Sequence, residues 1–365
     1  MGGGTGHGLR TTDHASSPCL RAGGGTDPGP RTPPFSPASG RAGERTPNPE
    51  PRTPLLSSRR RFAIPLAFAA IYLIWGSTYL GIRFAIETVP PFLMAAVRNG
   101  VAGVLLCLWA WRQGANPPTR AHWRTTAVVG GLLMLGGNGS VVWAEQHVPS
   151  GLTALLVAIV PLWMVLFEWL RPGGHRPRPL VFAGLALGLA GMVLLVGPER
   201  LAGGGHVDRL GAAVLMLGTF SWALGSIYSR HADMPASPLL AAGMESLSGG
   251  VMLALAGAAS GEWAAFELAR VSSRSALALA YLVVFGSLVA FPAFIWLLRA
   301  TTPARVSTYA YVNPVVAMAL GWALAGEPLT LRSALSALVI LSAVVVITRT
   351  GAAAPPSSAS PDEKA

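Results

Sequence analysis

Two ionisable residues lie where a charge is expensive. Arg98 and Glu245 each fall about eight residues into a long apolar run, roughly 12 Å along a helix that rises 1.5 Å per residue. A lone charge at that depth in a bilayer is costly unless it finds a partner or a wet cavity. Two chemistries fit the pair: a structural ion bridge, or the handling of a substrate or a proton. Polar and aromatic side chains cluster nearby in sequence. Trp75, Thr78 and Tyr79 share one helix face by three- and four-residue spacing, as do Trp222 with Ser226 and Tyr309 with Asn313. Such faces could line a pathway for amphipathic solutes, cationic ones included through cation–π contact. They could equally serve as interhelical packing and polar glue.

The backbone carries its own signals. Asn138, flanked by Gly136, Gly137 and Gly139, marks a deformable segment, and Pro292 marks another further along. Pro161 and Pro314 each remove an intrahelical hydrogen bond inside an apolar run, and we take both as hinges. Gly184 and Gly188 form a small-xxx-small pair suited to packing. Glu145 and His147 sit at a span end and read as interfacial.

Other chemistry finds no support. The sequence contains no H-E-x-x-H, G-x-S-x-G or G-x-x-x-x-G-K-[ST], and its only lysine is Lys364. Cys19 and Cys107 give neither a disulfide framework nor metal-ligand spacing. The expectation is no enzyme, no cofactor and no metal.

The elements that must position these residues come in two copies. Trp143, Pro161 and Trp169 recur 153 residues later as Trp296, Pro314 and Trp322. Trp75, Arg83, Pro91, Arg98 and Gly103 recur 147 residues later as Trp222, Arg230, Pro238, Glu245 and Gly250. An internal repeat in an apolar chain points to transporter architecture. With 52% hydrophobic and 12% charged residues, against about 25% charged in soluble domains, the chain needs a lipid bilayer as part of its solvent.

Ten apolar runs are expected, near 62–84, 90–111, 124–143, 149–170, 179–197, 210–229, 237–257, 275–298, 303–324 and 331–348, each close to the ~20 residues that cross a bilayer. The net charge of +11 is no nucleic-acid signal, because nine arginines fall within residues 1–61 and most others flank apolar runs. Thirteen arginines mark one set of span ends and six the other, which predicts both termini in the cytoplasm. Five spans per repeat is odd, so the second copy must insert inverted, with a pseudo-two-fold axis in the membrane plane. Trp109, Trp111, Trp123 and Trp263 near span ends read as belt anchors.

The segments I-W-G-S-T-Y (74–79), P-P-F-L-M-A-A-V-R-N (90–99), H-V-P-S-G-L-T-A-L-L-V-A-I-V-P-L (147–162) and S-T-Y-A-Y-V-N-P-V-V-A (307–317) resemble the drug/metabolite transporter superfamily. Within it the chain resembles the EamA-domain exporters of the YedA type. The resemblance covers about 62–348. It implies ten helices from two inverted repeats, and export or exchange of small metabolites, often amino acids, across the bacterial inner membrane. The repeat-closing G-E-P-L is present as Gly326, Glu327, Pro328 and Leu329, whereas Gly174 occupies the acidic position in the first repeat.

The reading is therefore an all-α polytopic membrane protein of ten transmembrane helices in two inverted five-helix repeats. Its parts are a disordered polar tail (1–61), repeats at 62–200 and 201–349, and a disordered C-terminal tail (350–365). No secretory signal fits, because the first apolar run begins near Phe62. The function expected is a secondary transporter moving amino acids or amphipathic drug-like solutes by alternating access, the alternative being a passive small-solute channel. Its substrate pathway would draw on Trp75, Thr78, Tyr79, Arg98, Asn138, Trp222, Ser226, Glu245, Tyr309 and Asn313. Protons as coupling ion and a homodimer are compatible partners; nucleic acid is not.

Overall fold

The computed structural model describes residues 55–148, 150–197, 208–325 and 330–350. The G-E-P-L segment, the junction between the repeats and most of both tails lie outside these residues. Ten helical spans follow one another: α1 Leu55–Ala85, α2 Pro91–Arg112, α3 Arg120–Ala144, α4 in two pieces (Ser150–Val157 and Val160–Leu170), α5 Pro179–Val196, α6 Arg209–His231, α7 Pro238–Ala259, α8 Ser273–Ala300, α9 in two pieces (Pro303–Val306 and Tyr309–Ala325), and α10 Leu331–Thr350. Among the described residues nine helices are long and apolar enough to cross a membrane; α9, with 17 residues in its longer piece, completes the set. α1 starts at Leu55, ahead of the apolar run expected from Phe62.

Local chemistry sets the helix starts. α2 and α7 begin at the repeat-equivalent Pro91 and Pro238, where a missing N–H costs nothing and φ is preset. Ser237 caps α7 through the Leu240 N–H at 3.3 Å. Pro90 offers α2 no such cap. Instead Glu262, from the segment after α7, accepts the Phe92 and Leu93 N–H groups at 3.3 and 2.9 Å, so one repeat caps a helix of the other.

The repeats interlock about a two-fold relation visible in single contacts. α2 packs along α7 with glycines at the crossing. A Cβ on Gly103 would lie 2.5 Å from the Leu247 nitrogen, and one on Gly250 would lie 2.7 Å from the Gly100 nitrogen. Adding 147 to 103 and 100 gives 250 and 247, so each contact is the image of the other. The pairing order is antiparallel, as an inverted repeat requires. α5 packs on α10, with Gly184 against Ile347 and Gly191 against Ile340, while Gly188 meets the Tyr311 ring of α9. This is the close backbone approach expected of small residues. α1 lies against α8 and α9, while α6 lies against α3 and α4. Each repeat's first helix is thus clasped by the other repeat.

The deformable segments have a specific form. Gly131–Gly139 in α3 and Leu282–Ala290 in α8 are wound as π-helix, and both ends are 151 residues apart. Widened turns of this kind shift side chains out of α register and frequently mark functional sites. Pro314 lies inside a continuous helix as expected. Pro161 does not: α4 is already broken at Ala158 and Ile159, and Pro161 occupies the first turn of its second piece, where its ring clashes with nothing. Trp109, Trp111, Trp123 and Trp263 are all exposed, as interfacial anchors would be.

Candidate functional site

Where α1, α2, α3, α4, α6, α8 and α9 converge they enclose a cavity of about 110 Å³, several times the ~10–15 Å³ that one water needs. Eight of the residues singled out from sequence meet in its wall: Trp75, Thr78, Tyr79, Arg98, Asn138, Trp222, Tyr309 and Asn313. The face spacing brought the aromatics together. Trp75 contacts its repeat equivalent Trp222 edge-on at 5.9 Å and Tyr309 at 4.9 Å. Phe294, fully buried, lies 5.1, 5.6 and 5.7 Å from the Trp75, Trp222 and Tyr309 rings.

The π segments build the polar wall. Arg98 donates from Nε to Ser287 Oγ at 2.9 Å. Its guanidinium lies so close over Gly286 that a Cβ there would meet Nη2 at 2.8 Å, so a side chain at this position would displace the guanidinium. The same Gly286 accepts the Trp75 indole N–H at 3.4 Å. On the other side Trp222 packs on Gly137, where a Cβ would come within 2.7 Å of the indole ring. Each tryptophan of the repeat pair therefore rests on a glycine in the other repeat's π segment.

Two expected pathway residues lie elsewhere. Ser226 is buried and donates to the Trp222 carbonyl at 2.7 Å, a back-bond within its own helix that turns it from the cavity. Glu245 is fully buried away from the cavity, accepts from Ser229 Oγ at 3.0 Å through Oε1, leaves Oε2 without a hydrogen-bond partner and feels the charge of Arg299. It does not meet Arg98. The α2–α7 register, in which 103 faces 247 and 100 faces 250, places Glu245 level with residue 105. That is seven residues from Arg98, about 10 Å along the axis.

Sequence reasoning missed Asn99, Thr219 and Ser287, which also line the cavity. Thr219 is three residues before Trp222, and the spacing rule applied to Trp75 would have found it. Ser287 carried no signal, because its direction depends on π winding.

The two faces of the bundle are tied by different contacts. On the face where α10 ends, Arg230 donates to the carbonyls of Leu298 and Thr301. Arg299 donates to those of Pro235 and Ala236 at 3.0 and 3.3 Å, and Glu168 binds Arg171 at 3.1 Å and His231 at 2.9 Å. On the opposite face the repeat equivalents of Arg230 and Leu298 are Arg83 and Glu145 (83 + 147, 145 + 153). Arg83 is exposed and Glu145 half-buried, and no ion pair joins them among the described residues. Burial pushes the Glu145 carboxyl up to about 8, against the pull of the Arg83 guanidinium. His147 stacks on Trp143 at 4.5 Å. Among the described residues no group of three His, Cys, Asp or Glu could hold a metal ion.

The profile of the EamA-like transporter family matches residues 62–197 and again 209–349. The chain is 41% identical over 294 residues, 80% of its length and 92% of the other's, to the uncharacterized inner membrane transporter YedA of Escherichia coli K12. It is 25% identical over 290 residues, covering 79% and 92%, to the uncharacterized transporter YvbV of Bacillus subtilis 168. A crystal structure covering 80% of this chain and 98% of its own superposes with a TM-score of 0.64 at 21% identity, which shows a shared fold.

Proposed function

The chain belongs to the EamA-like transporter family, and from that we propose that this membrane transporter exports or exchanges small metabolites by alternating access, in a bacterial inner membrane with both termini cytoplasmic. The observation that carries the reading is the contrast between equivalent arginines. Arg230 is engaged with the end of α8, while Arg83, its image, stands exposed at the other face. An inverted repeat exchanges its two faces when one half rocks against the other. In this reading the conformation is one in which Arg230 holds the face bearing the α10 end while Arg83 does not hold the opposite one. The fully buried Phe294, packed on the Trp75, Trp222 and Tyr309 rings, supports a carrier over an open channel.

The arginine asymmetry of the sequence supports the orientation. In a cysteine-free background, His175→Cys and Gln146→Cys should label from opposite sides, and the first only from the cytoplasm. Function is tested in vesicles holding the purified protein, with a panel of labelled metabolites and with and without a pH gradient. Saturable flux with counter-transport is expected, and any dependence on the gradient would identify proton coupling. Unsaturable flux without counter-transport would replace the carrier by a channel.

A further inference from the structure

Among the residues that line the cavity, Arg98 carries the one permanent charge, and no Asp or Glu stands with it. It is 6% exposed. No carboxylate among the described residues pairs with it, and Glu245, the partner its repeat position suggested, is bound to Ser229 instead. Ser287 and Gly286 hold the guanidinium by its Nε edge and its face. A guanidinium fixed in this way presents a planar fork of N–H donors that matches a carboxylate. Asn313, 3% exposed, and Asn138 both line the same cavity, and each leaves its Oδ1 without a hydrogen-bond partner. These are acceptors for a donor on the same solute.

Resting on the transporter reading above, we propose that the solute bears a single carboxylate and that Arg98 is the residue that recognises it. One guanidinium neutralises one charge. A dianion would bring a second, uncompensated charge into a desolvated site, and a cationic amphiphile would meet Arg98 as a like charge. The aromatic rings of Trp75, Trp222 and Tyr309 then take the apolar part. This narrows the range of amphipathic solutes, cationic ones included, that the aromatic faces alone allow.

The test uses the purified full-length protein and four probes of similar shape: 3-phenylpropionate, phenylalanine, phenylalanine methyl ester and phenethylamine. Binding is read as a concentration-dependent thermal shift. The two carboxylates should stabilise the wild type, and the ester and amine should not. Arg98→Gln should weaken carboxylate binding at least tenfold, Arg98→Lys should retain part of it, and Ser287→Ala should weaken it a few-fold while keeping the charge. Should Arg98→Gln fail to fold, the Lys and Ser287 variants decide. Equal binding of amine and carboxylates, unchanged binding in the variants, or no response to either carboxylate would overturn the proposal. Flux in vesicles separates the two readings. Carboxylate binding with no flux of any probe contradicts transport and spares the recognition, whereas flux of phenethylamine without carboxylate binding does the reverse.

Discussion

Arg83 and Arg230 end equivalent helices and live in different surroundings. Arg230 reaches two carbonyls at the end of α8, and around it Arg299, Glu168 and His231 tie α6, α4, α8 and the α6–α7 connection together. Arg83 is exposed on α1, and its charge acts on the half-buried Glu145. A duplicated sequence gives both faces the means to close; the opposite face is tied by Glu87 to Arg274 at 3.5 Å and by Glu262 on α2, but its equivalent arginine takes no such part. The lesson is that the symmetric parts form the frame: the glycine crossing of α2 on α7, the paired π segments, the Trp75–Trp222 contact. The asymmetric parts report the state.

The largest effect should come from forcing the free face into the bound face's arrangement. In a protein lacking native cysteines, Arg83→Cys with Glu145→Cys should crosslink under oxidant and stop flux almost entirely, with reductant restoring it. Full flux after complete crosslinking would mean that this face does not need to open. Next comes release of the bound face. Arg230→Ala removes charge-assisted hydrogen bonds that are partly exposed, a loss of about 2 kcal/mol, or roughly 30-fold in the balance between states. A cysteine at Phe294 should then react with a membrane-impermeant thiol reagent from the α10-end face, and unchanged reactivity would show the arginine to be idle.

Glu168→Gln should do less. Both of its partners are partly solvated, and such pairs contribute at most about 1 kcal/mol, so flux should change only a few-fold. The smallest effect concerns Arg98 and Glu245. Because they do not touch, Arg98→Gln and Glu245→Gln should combine additively in thermal stability, within about 0.5 kcal/mol. A larger coupling would place an ion bridge between the repeats after all.

Much of this frame was legible. Repeated anchors at 147 and 153 residues foretold the duplication, and apolar runs foretold the helices. Three- and four-residue spacing put Trp75, Trp222 and Tyr309 on facing surfaces. Arg98 was recognisable as costly, but its partner was not. Whether it meets Glu245 depends on where the two-fold axis cuts α2, and a repeat offset is silent on that. Ser287 and Gly286 were hidden because π winding rotates them by a fraction of a turn that α periodicity cannot anticipate. Ser226 failed for the opposite reason: its hydroxyl was taken by its own helix backbone. Glu262, capping α2 from the other repeat, had no local sequence signal at all.

Alternation means that the two faces open in turn around one cavity. It is tested most directly by paired spin labels at equivalent ends, Glu87→Cys with Gln146→Cys on one face and Asp233→Cys with Ala300→Cys on the other, in proteoliposomes by pulsed dipolar spectroscopy. Each pair should give two distance populations, and 3-phenylpropionate should shift the two pairs in opposite directions, one shortening as the other lengthens. A single unchanging distance at both faces, or both lengthening together, would rule alternation out.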